Sequence, residues 1–459
     1  MKPTIKEAYQ LLHEGTLALA KVEANGIRID IDRLEATISK VSRYIDRLTE
    51  KLKDDEIWLK WRRRFGYKTN ITSRTQLAKV VYGELGYESE KKTKLEKRES
   101  ADETSLRKLK IPFVNRYLQL EKLKKLRATY LNGVKREVVD GFLHPSFNLN
   151  LVKTFRSSSD SPNFQNIPIR DKRVGKLIRQ CFIPREGNVL LEIDFGALEV
   201  RIAACYHKDP AMLAYIKDPT KDMHRDAACD CYLLTQDRVT KDIRFYAKNQ
   251  FVFPEFYGSY YAKCAPNLWN AIDTAKLVTS NGTPLKEHLA EQGIKRLGAC
   301  KSGQEPKDGT FEKHIKEVET DFWENRFSVY AQWKDDWWNE YLKNGYFDLL
   351  TGFREVGVYK KNDVINHPVQ GAAFHCLLWS LIQLQKWLTK SRLGAMIIGQ
   401  IHDSILIDCP KKEIKKLISK AKCIMTGDIR NEWPWIIVPL EVEVEITETS
   451  WFEKEKYKE

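Results

Sequence analysis

No run of 18 or more apolar residues occurs in the 459-residue chain, so no segment reads as a membrane-spanning helix. The opening residues Met1-Lys2-Pro3-Thr4-Ile5-Lys6-Glu7 lack the apolar stretch of a secretory signal, and a cytoplasmic location with no membrane partner is expected. Cysteine is sparse. The nine are scattered, and the only close pair, Cys229 and Cys231, has no second pair to complete a structural zinc site. Reduced thiols are therefore expected. Internal repeats and extended low-complexity tracts are also missing, which excludes solenoids and disordered spacers. Acidic residues are outnumbered, 63 against 77 Lys and Arg, for a net charge of +14. Such a surface suits a phosphate backbone, although basic proteins of other kinds share it. With 42% hydrophobic residues, a chain long enough for about three domains can bury a substantial core.

Against this background two short segments stand out. Leu191-Glu192-Ile193-Asp194-Phe195 and Gln400-Ile401-His402-Asp403-Ser404 each place an aspartate at the end of an apolar run. Val189 to Ile193 predicts a short buried strand. Met396 to Ile401 and Ile405 to Ile407 predict two more, joined by a tight turn at His402-Asp403. Asp194 and Asp403 would then lie at neighbouring strand ends, where two carboxylates repel each other unless protonated or bridged by cations. Two Mg²⁺ ions about 3.5–4 Å apart would bridge them and suit phosphoryl transfer. Taken singly, an aspartate at a strand end is usually a turn former or a helix cap. Between them, Arg244 and Lys248 have i, i+4 spacing and project from one helix face. Phe251, Val252, Phe253, Phe256 and Tyr257 follow, an aromatic density that a merely solvated helix would not carry. Cations followed by rings suit a nucleoside triphosphate.

In this order the residues resemble the motifs of family A DNA polymerases, the group of bacterial DNA polymerase I and its phage relatives, and the likeness covers nearly the whole chain. The family's Asp-Tyr-Ser-Gln-Ile-Glu-x-Arg motif stands as Asp194-Phe195-Gly196-Ala197-Leu198-Glu199-Val200-Arg201. Its finger-helix motif matches Arg244, Lys248, Tyr257 and Gly258, and its His-Asp-Glu motif is similar to His402-Asp403-Ser404. Arg156, the run Pro162-Asn163-Phe164-Gln165-Asn166-Ile167-Pro168 and the run Asn366-His367-Pro368-Val369-Gln370-Gly371 resemble segments that grip the primer-template minor groove. Val438 to Val444 fits the last palm strand.

The resemblance implies an α+β right-hand polymerase fold with an antiparallel-sheet palm, helical thumb and helical fingers. Palm is expected at 1–31, 151–221 and 367–459, thumb at 32–150, and fingers at 222–366 with an insertion around 261–316. It also implies a template-directed DNA polymerase that adds deoxynucleotides to a primer 3′-hydroxyl, with Asp194, Asp403 and the backbone carbonyl of Phe195 holding two Mg²⁺ ions, for which Mn²⁺ can substitute. Arg244 and Lys248 would serve the triphosphate, as would His224. Glu199 would lie beneath the sugar, bonded to Tyr257, and exclude a 2′-hydroxyl. Arg156, Asn163, Gln165, Asn166, Gln370, His402, Lys125 and Arg127 would contact primer-template DNA. A monomer without a proofreading exonuclease in this chain is expected, with a separate exonuclease, primase or helicase as partner. The alternatives are a catalytically inactive primer-template-binding protein and a ribonucleotide-incorporating relative, the latter disfavoured by Glu199.

Of the chain's departures from the pattern, four bear on the site. Phe195 replaces the family's tyrosine, Ala197 its glutamine and Ser404 its second acid. The fourth departure is in the finger helix, where Lys248 to Tyr257 spans nine residues instead of eight and Pro254 falls inside. Proline there should kink or bulge the helix. The side chain facing the incoming sugar is thus Phe253 when counted back from Tyr257 or Val252 when counted forward from Lys248. Phe253 is preferred, with Phe251 in reserve.

Overall fold

Strands as apolar as those at 189–193, 397–401 and 405–407 are stable only where both faces are covered. The computed structural model, which describes residues 3–89, 99–169, 171–301 and 303–458, places them in one antiparallel sheet. Met1 and Lys2, part of the expected thumb (90–98), Arg170, Ser302 of the turn-rich insertion and Glu459 lie outside the described residues. The strand order is Glu455–Lys456, Val442–Thr447, Asn188–Phe195, Ser404–Pro410 and Met396–Ile401. All neighbours are antiparallel. The aspartate-bearing strand Asn188–Phe195 is therefore central.

The 31-residue helix Lys361–Ser391 and the helix Ile5–Asn25 pack together and against the hairpin side of this sheet. Gly371 lies where the long helix passes the chain just before Arg156. A Cβ there would come within 2.6 Å of the Thr154 carbonyl oxygen, so only glycine permits the approach. Arg156 Nε then donates to the carbonyl of Gln370 at 3.3 Å.

The described residues of 31–89 and 99–137 form a helical body built on Ile31–Lys53 and Pro112–Lys125, with buried Trp61 against Tyr117 at 5.9 Å. A second helical body contains Met223–Tyr232, Lys241–Ala247, Tyr261–Thr274, Phe311–Thr320 and Ser328–Asn344. Its core is aromatic, with Phe322 4.8 Å from Phe327 and 5.4 Å from Phe251. Phe322, Trp323, Tyr330 and Trp333 all lie in this packing. The turn-rich runs near 280–284 and 303–309 are loops between helices. Among the described residues all nine cysteines are free, and no helix is long and apolar enough to cross a membrane.

Candidate active site

Asp194 is next to last in the central strand, and Ser404 and Glu443 pair with it from either side. The Phe195 N–H donates to the Asp403 carbonyl at 3.2 Å, so the two aspartates close adjacent strand ends. The turn between hairpin strands is tight because His402 takes a left-handed conformation, φ 49°. Buried Gln400 holds it by donating from Nε2 to the His402 carbonyl at 2.8 Å. The Gln400 Oε1 accepts from Ser157 Oγ and Gln165 Nε2, each at 2.7 Å, tying the turn to the 157–165 segment.

Burial, Asp403 and then Glu192 push the Asp194 carboxyl up to about 7, and burial and then Glu199 push Asp403 up to about 6 against the opposing charge of Arg156. Asp194 is nevertheless exposed by surface area; solvent reaches it from the cleft while protein surrounds most of it. The mutual repulsion belongs to the pair, and both shifts have the same meaning: the protein supplies too little positive charge for two carboxylates to ionise together. The donors are hard oxygens, which fit Mg²⁺. Among the described residues no group of three or more His, Cys, Asp or Glu side chains converges as a closed metal cage, so phosphate oxygens and water would have to complete the coordination.

One cavity is lined by Ala197, Glu199, Gln370 and Asp403 on the sheet side and by Lys248, Phe253 and Tyr257 on the side of the second helical body. Asp194, Arg244 and His224 are not among its walls. Glu199, in the first turn of helix Leu198–His207, accepts from Tyr257 Oη through one oxygen and from Arg156 Nη2 through the other. Burial and the Glu199 charge hold the Tyr257 phenol well above its ordinary pKa, so it remains a donor. Arg201 pins the preceding turn through the Gly196 and Pro439 carbonyls, at 2.9 and 2.6 Å. Ala197, at the position of the family's glutamine, is left-handed at φ 51°.

In the second helical body, Arg244 Nε donates to Asp222 Oδ2 at 2.6 Å, and Asp222 caps the helix that carries His224. Burial and then Lys248 lower His224 to about 4, so its ring is neutral. It meets Phe253 edge-on at 5.6 Å and its Nδ1 is buried without a partner. Lys248 Nζ stands 4.9 Å from the Phe253 ring, and burial and then Arg244 lower the Lys248 pKa.

The residue count that left the sugar-facing ring open has a structural explanation. Lys248–Val252 forms a π-helical turn, and the α-helix resumes at Phe253–Phe256 with Pro254 in its first turn. The wide turn absorbs the extra residue. Phe251 and Val252 are fully buried in the core of the second helical body, whereas Phe253 lines the cavity. Gly258, φ 80°, ends the segment where a Cβ would lie 2.7 Å from Asn362 Oδ1.

The other expected DNA contacts are dispersed. Asn163 and Asn166 are exposed, with Asn163 Oδ1 accepting from the Asn166 N–H at 3.1 Å. Gln165 is directed inward to Ser157 and Gln400. Gln370 is half-buried beside Arg156, and His402 is exposed at the hairpin turn. Lys125 is exposed on the 31–137 body, and Arg127 Nη1 there donates to Ser42 Oγ at 3.2 Å. Sequence reasoning missed Gln400 and Ser157 as organisers of the turn, and missed Glu192 behind Asp194. For Glu192 a signal existed, since residues two apart on a strand share a face; for Gln400 and Ser157 none did.

Comparison with known proteins agrees with this geometry. The profile described as DNA polymerase family A matches residues 31–281 and 346–453. The match lapses over 282–345, overlapping part of the segment expected as an insertion and extending beyond it. The thermostable DNA polymerase I of Thermus thermophilus is 29% identical over 438 residues, covering 94% of this chain and 46% of the relative. DNA polymerase I of Geobacillus stearothermophilus is 28% identical over 442 residues, covering 93% and 44%. The chain thus spans less than half the length of these relatives. The structure of the POL domain of Pol1 from M. smegmatis, in complex with DNA primer-template and dNTP, has the same fold at a TM-score of 0.74. It is 24% identical, and the match covers 96% of this chain and 70% of that one. With the profile matching most of the chain and the right-hand fold around the paired aspartates, this protein belongs to DNA polymerase family A.

Proposed function

We propose that the chain is a template-directed DNA polymerase that extends a primer 3′-hydroxyl with deoxynucleotides, releasing pyrophosphate. The observation that carries the reading is the single cavity in which Asp403 and Glu199 on the sheet side meet Lys248, Phe253 and Tyr257 from the fingers. Asp194, Asp403 and the Phe195 carbonyl would hold two Mg²⁺ ions. When bound, such ions activate an attacking hydroxyl and neutralise charge on the transferring phosphate. The chain's own part is positioning and electrostatic support. Lys248 and Arg244 bind the triphosphate, and Asp222 holds the guanidinium of Arg244 on the cleft side of its helix. Phe253 packs on the sugar. Glu199, fixed between Arg156 and Tyr257, occupies the space that a 2′-hydroxyl would need. The neutral His224 supports the Phe253 ring and offers a donor to a phosphate oxygen. Arg156 and Gln370, freed or reoriented by duplex, reach the minor-groove acceptors that every correct pair presents, so they test pair shape without reading sequence. Asn163, Gln165, Asn166 and His402 line the approach of the duplex, and Lys125 and Arg127 contact its backbone.

The test is extension of a labelled primer on a longer template with Mg²⁺ and either deoxy- or ribonucleoside triphosphates, beside an Asp403→Ala variant. Deoxynucleotide-dependent extension that is lost in the variant is expected. Tight duplex binding without extension by the parent protein would instead identify a binding protein, and equal use of ribonucleotides would remove the role given to Glu199.

A further inference from the structure

Ser404 follows Asp403 where the family pattern has an acid, and it faces a carboxylate that the motif comparison does not assign. Glu192 is two residues before Asp194 on the central strand and so projects from the same face. Ser404 Oγ lies 3.1 Å from Glu192 Oε1 and 3.0 Å from the Ile401 carbonyl, with one proton to share between them. The other oxygen, Oε2, accepts from Trp451 Nε1 at 2.7 Å and from Lys454 Nζ at 2.5 Å. Lys454 also reaches Glu445 Oε2 at 2.6 Å. The Glu192 and Lys454 side chains are 13% and 8% exposed, so the pair is shielded from bulk screening. Lys454 is shared with Glu445, and the buried Arg179 guanidinium also acts on both carboxylates, but Asp194 feels Glu192 more strongly than Lys454, so the charge directly behind it acts as a negative one. An acid at 404 would face Glu192 at hydrogen-bond distance, and a hydroxyl removes that conflict. The serine at 404 and the glutamate at 192 are complementary.

We propose that Glu192 replaces the missing acid of position 404: it is a positioning carboxylate that strengthens the hold of Asp194 and Asp403 on divalent cations, with Lys454 setting its strength. The inference rests on the two-metal reading of those aspartates. A charge behind a ligand acts on the ion through the field and by orienting the ligand, and removing such a partner typically weakens metal affinity on the order of tenfold or more.

The test reads ion binding without turnover. Mn²⁺ is titrated, by the EPR signal of the free ion, into the full chain bound to a dideoxy-terminated primer-template and the next deoxynucleotide. Glu192→Gln, which preserves shape and hydrogen bonding, is expected to weaken Mn²⁺ binding on the order of tenfold. Lys454→Met is expected to tighten it, an opposite sign that a structural role would not produce. The exchange Glu192→Ser with Ser404→Glu returns the carboxylate to position 404 and is expected to recover most of the affinity. Melting temperature, read alongside, identifies any variant that has lost its fold; if Glu192→Gln is one, the exchange variant decides. Parent-like Mn²⁺ binding by Glu192→Gln, or weakening by both single variants, overturns the proposal, as does failure of a folded exchange variant to bind. Asp403→Ala separates the two readings. If it binds Mn²⁺ like the parent, the two-metal site itself is wrong; if it loses binding while Glu192→Gln does not, only the role of Glu192 falls.

Discussion

Phe251 and Phe253 stand two positions apart on one helix, yet the first is sealed in the fingers core against Phe322 and the second opens on the cleft beside Lys248 and Tyr257. The same truncation should therefore have different consequences. Phe251→Ala leaves a cavity among close-packed rings and should cost about 3–5 kcal/mol of stability. Phe253→Ala should melt much closer to the parent but raise KM for the incoming nucleotide, because the ring lost there faces a ligand instead of the core. Thermal melting and single-nucleotide incorporation kinetics check both at once. A Phe251→Ala protein with parent stability and impaired nucleotide binding would reverse the assignment. Glu199 is a similar case at this scale: its two oxygens are already engaged by Arg156 and Tyr257 before any substrate is present, so its orientation is set by the protein.

At the scale of the element, the finger helix carries one residue more than the family spacing and a proline besides. The π-helical turn at Lys248–Val252 accounts for both. It wraps the additional residue into a wider turn, so that the following turn faces as it would have without it, and it breaks the α-helical bonding just where Pro254 lacks an N–H. Deleting Asn249 should restore a plain α-helix and force Pro254 into its interior, a loss of about 3 kcal/mol. Combining the deletion with Pro254→Ala should return the melting temperature towards the parent and retain primer extension, since Lys248 and Phe253 again share the cleft face. A double variant that folds but cannot extend a primer would show that the wide turn itself is required.

For the whole molecule, buried titratable groups act on stability in opposite directions. His207, His224 and His375 are lowered by burial first of all, to about 3, 4 and 3. Unfolded histidines take up protons near pH 6.5 and these do not, so stability is lost as pH falls below that value. Glu255, pushed to about 8 by burial and then by Glu319, has the reverse effect: the folded chain holds the proton, and its contribution is lost as pH rises from about 4 through 8. Asp194 and Asp403, raised to about 7 and 6, lose theirs as pH rises from about 4 to those values, but this loss alone is relieved by a divalent cation. The rise in melting temperature on adding Mg²⁺ should thus be small at pH 5, larger at pH 8, and absent in Asp403→Asn. An Mg²⁺ effect that is independent of pH would count against the carboxylate pair as its source.

The sequence by itself determined the strands that carry Asp194 and Asp403, the turn between 401 and 404, the helical bodies on either side and the order of the motifs. These are local properties: apolar runs, periodicity, caps and the identity of residues at short spacings. Only the tertiary structure decided which aromatic faces the cleft, because facing downstream of an inserted residue depends on where the helix widens. Only it joined Gln400 to Ser157 and Gln165, or Glu192 to Ser404, Trp451 and Lys454. Those pairs are separated by up to 262 residues and meet through sheet register and helix packing. A single chain's pattern does not encode such a meeting locally, and the electrostatics of the candidate site, two carboxylates short of positive charge with a third behind them, follow from it.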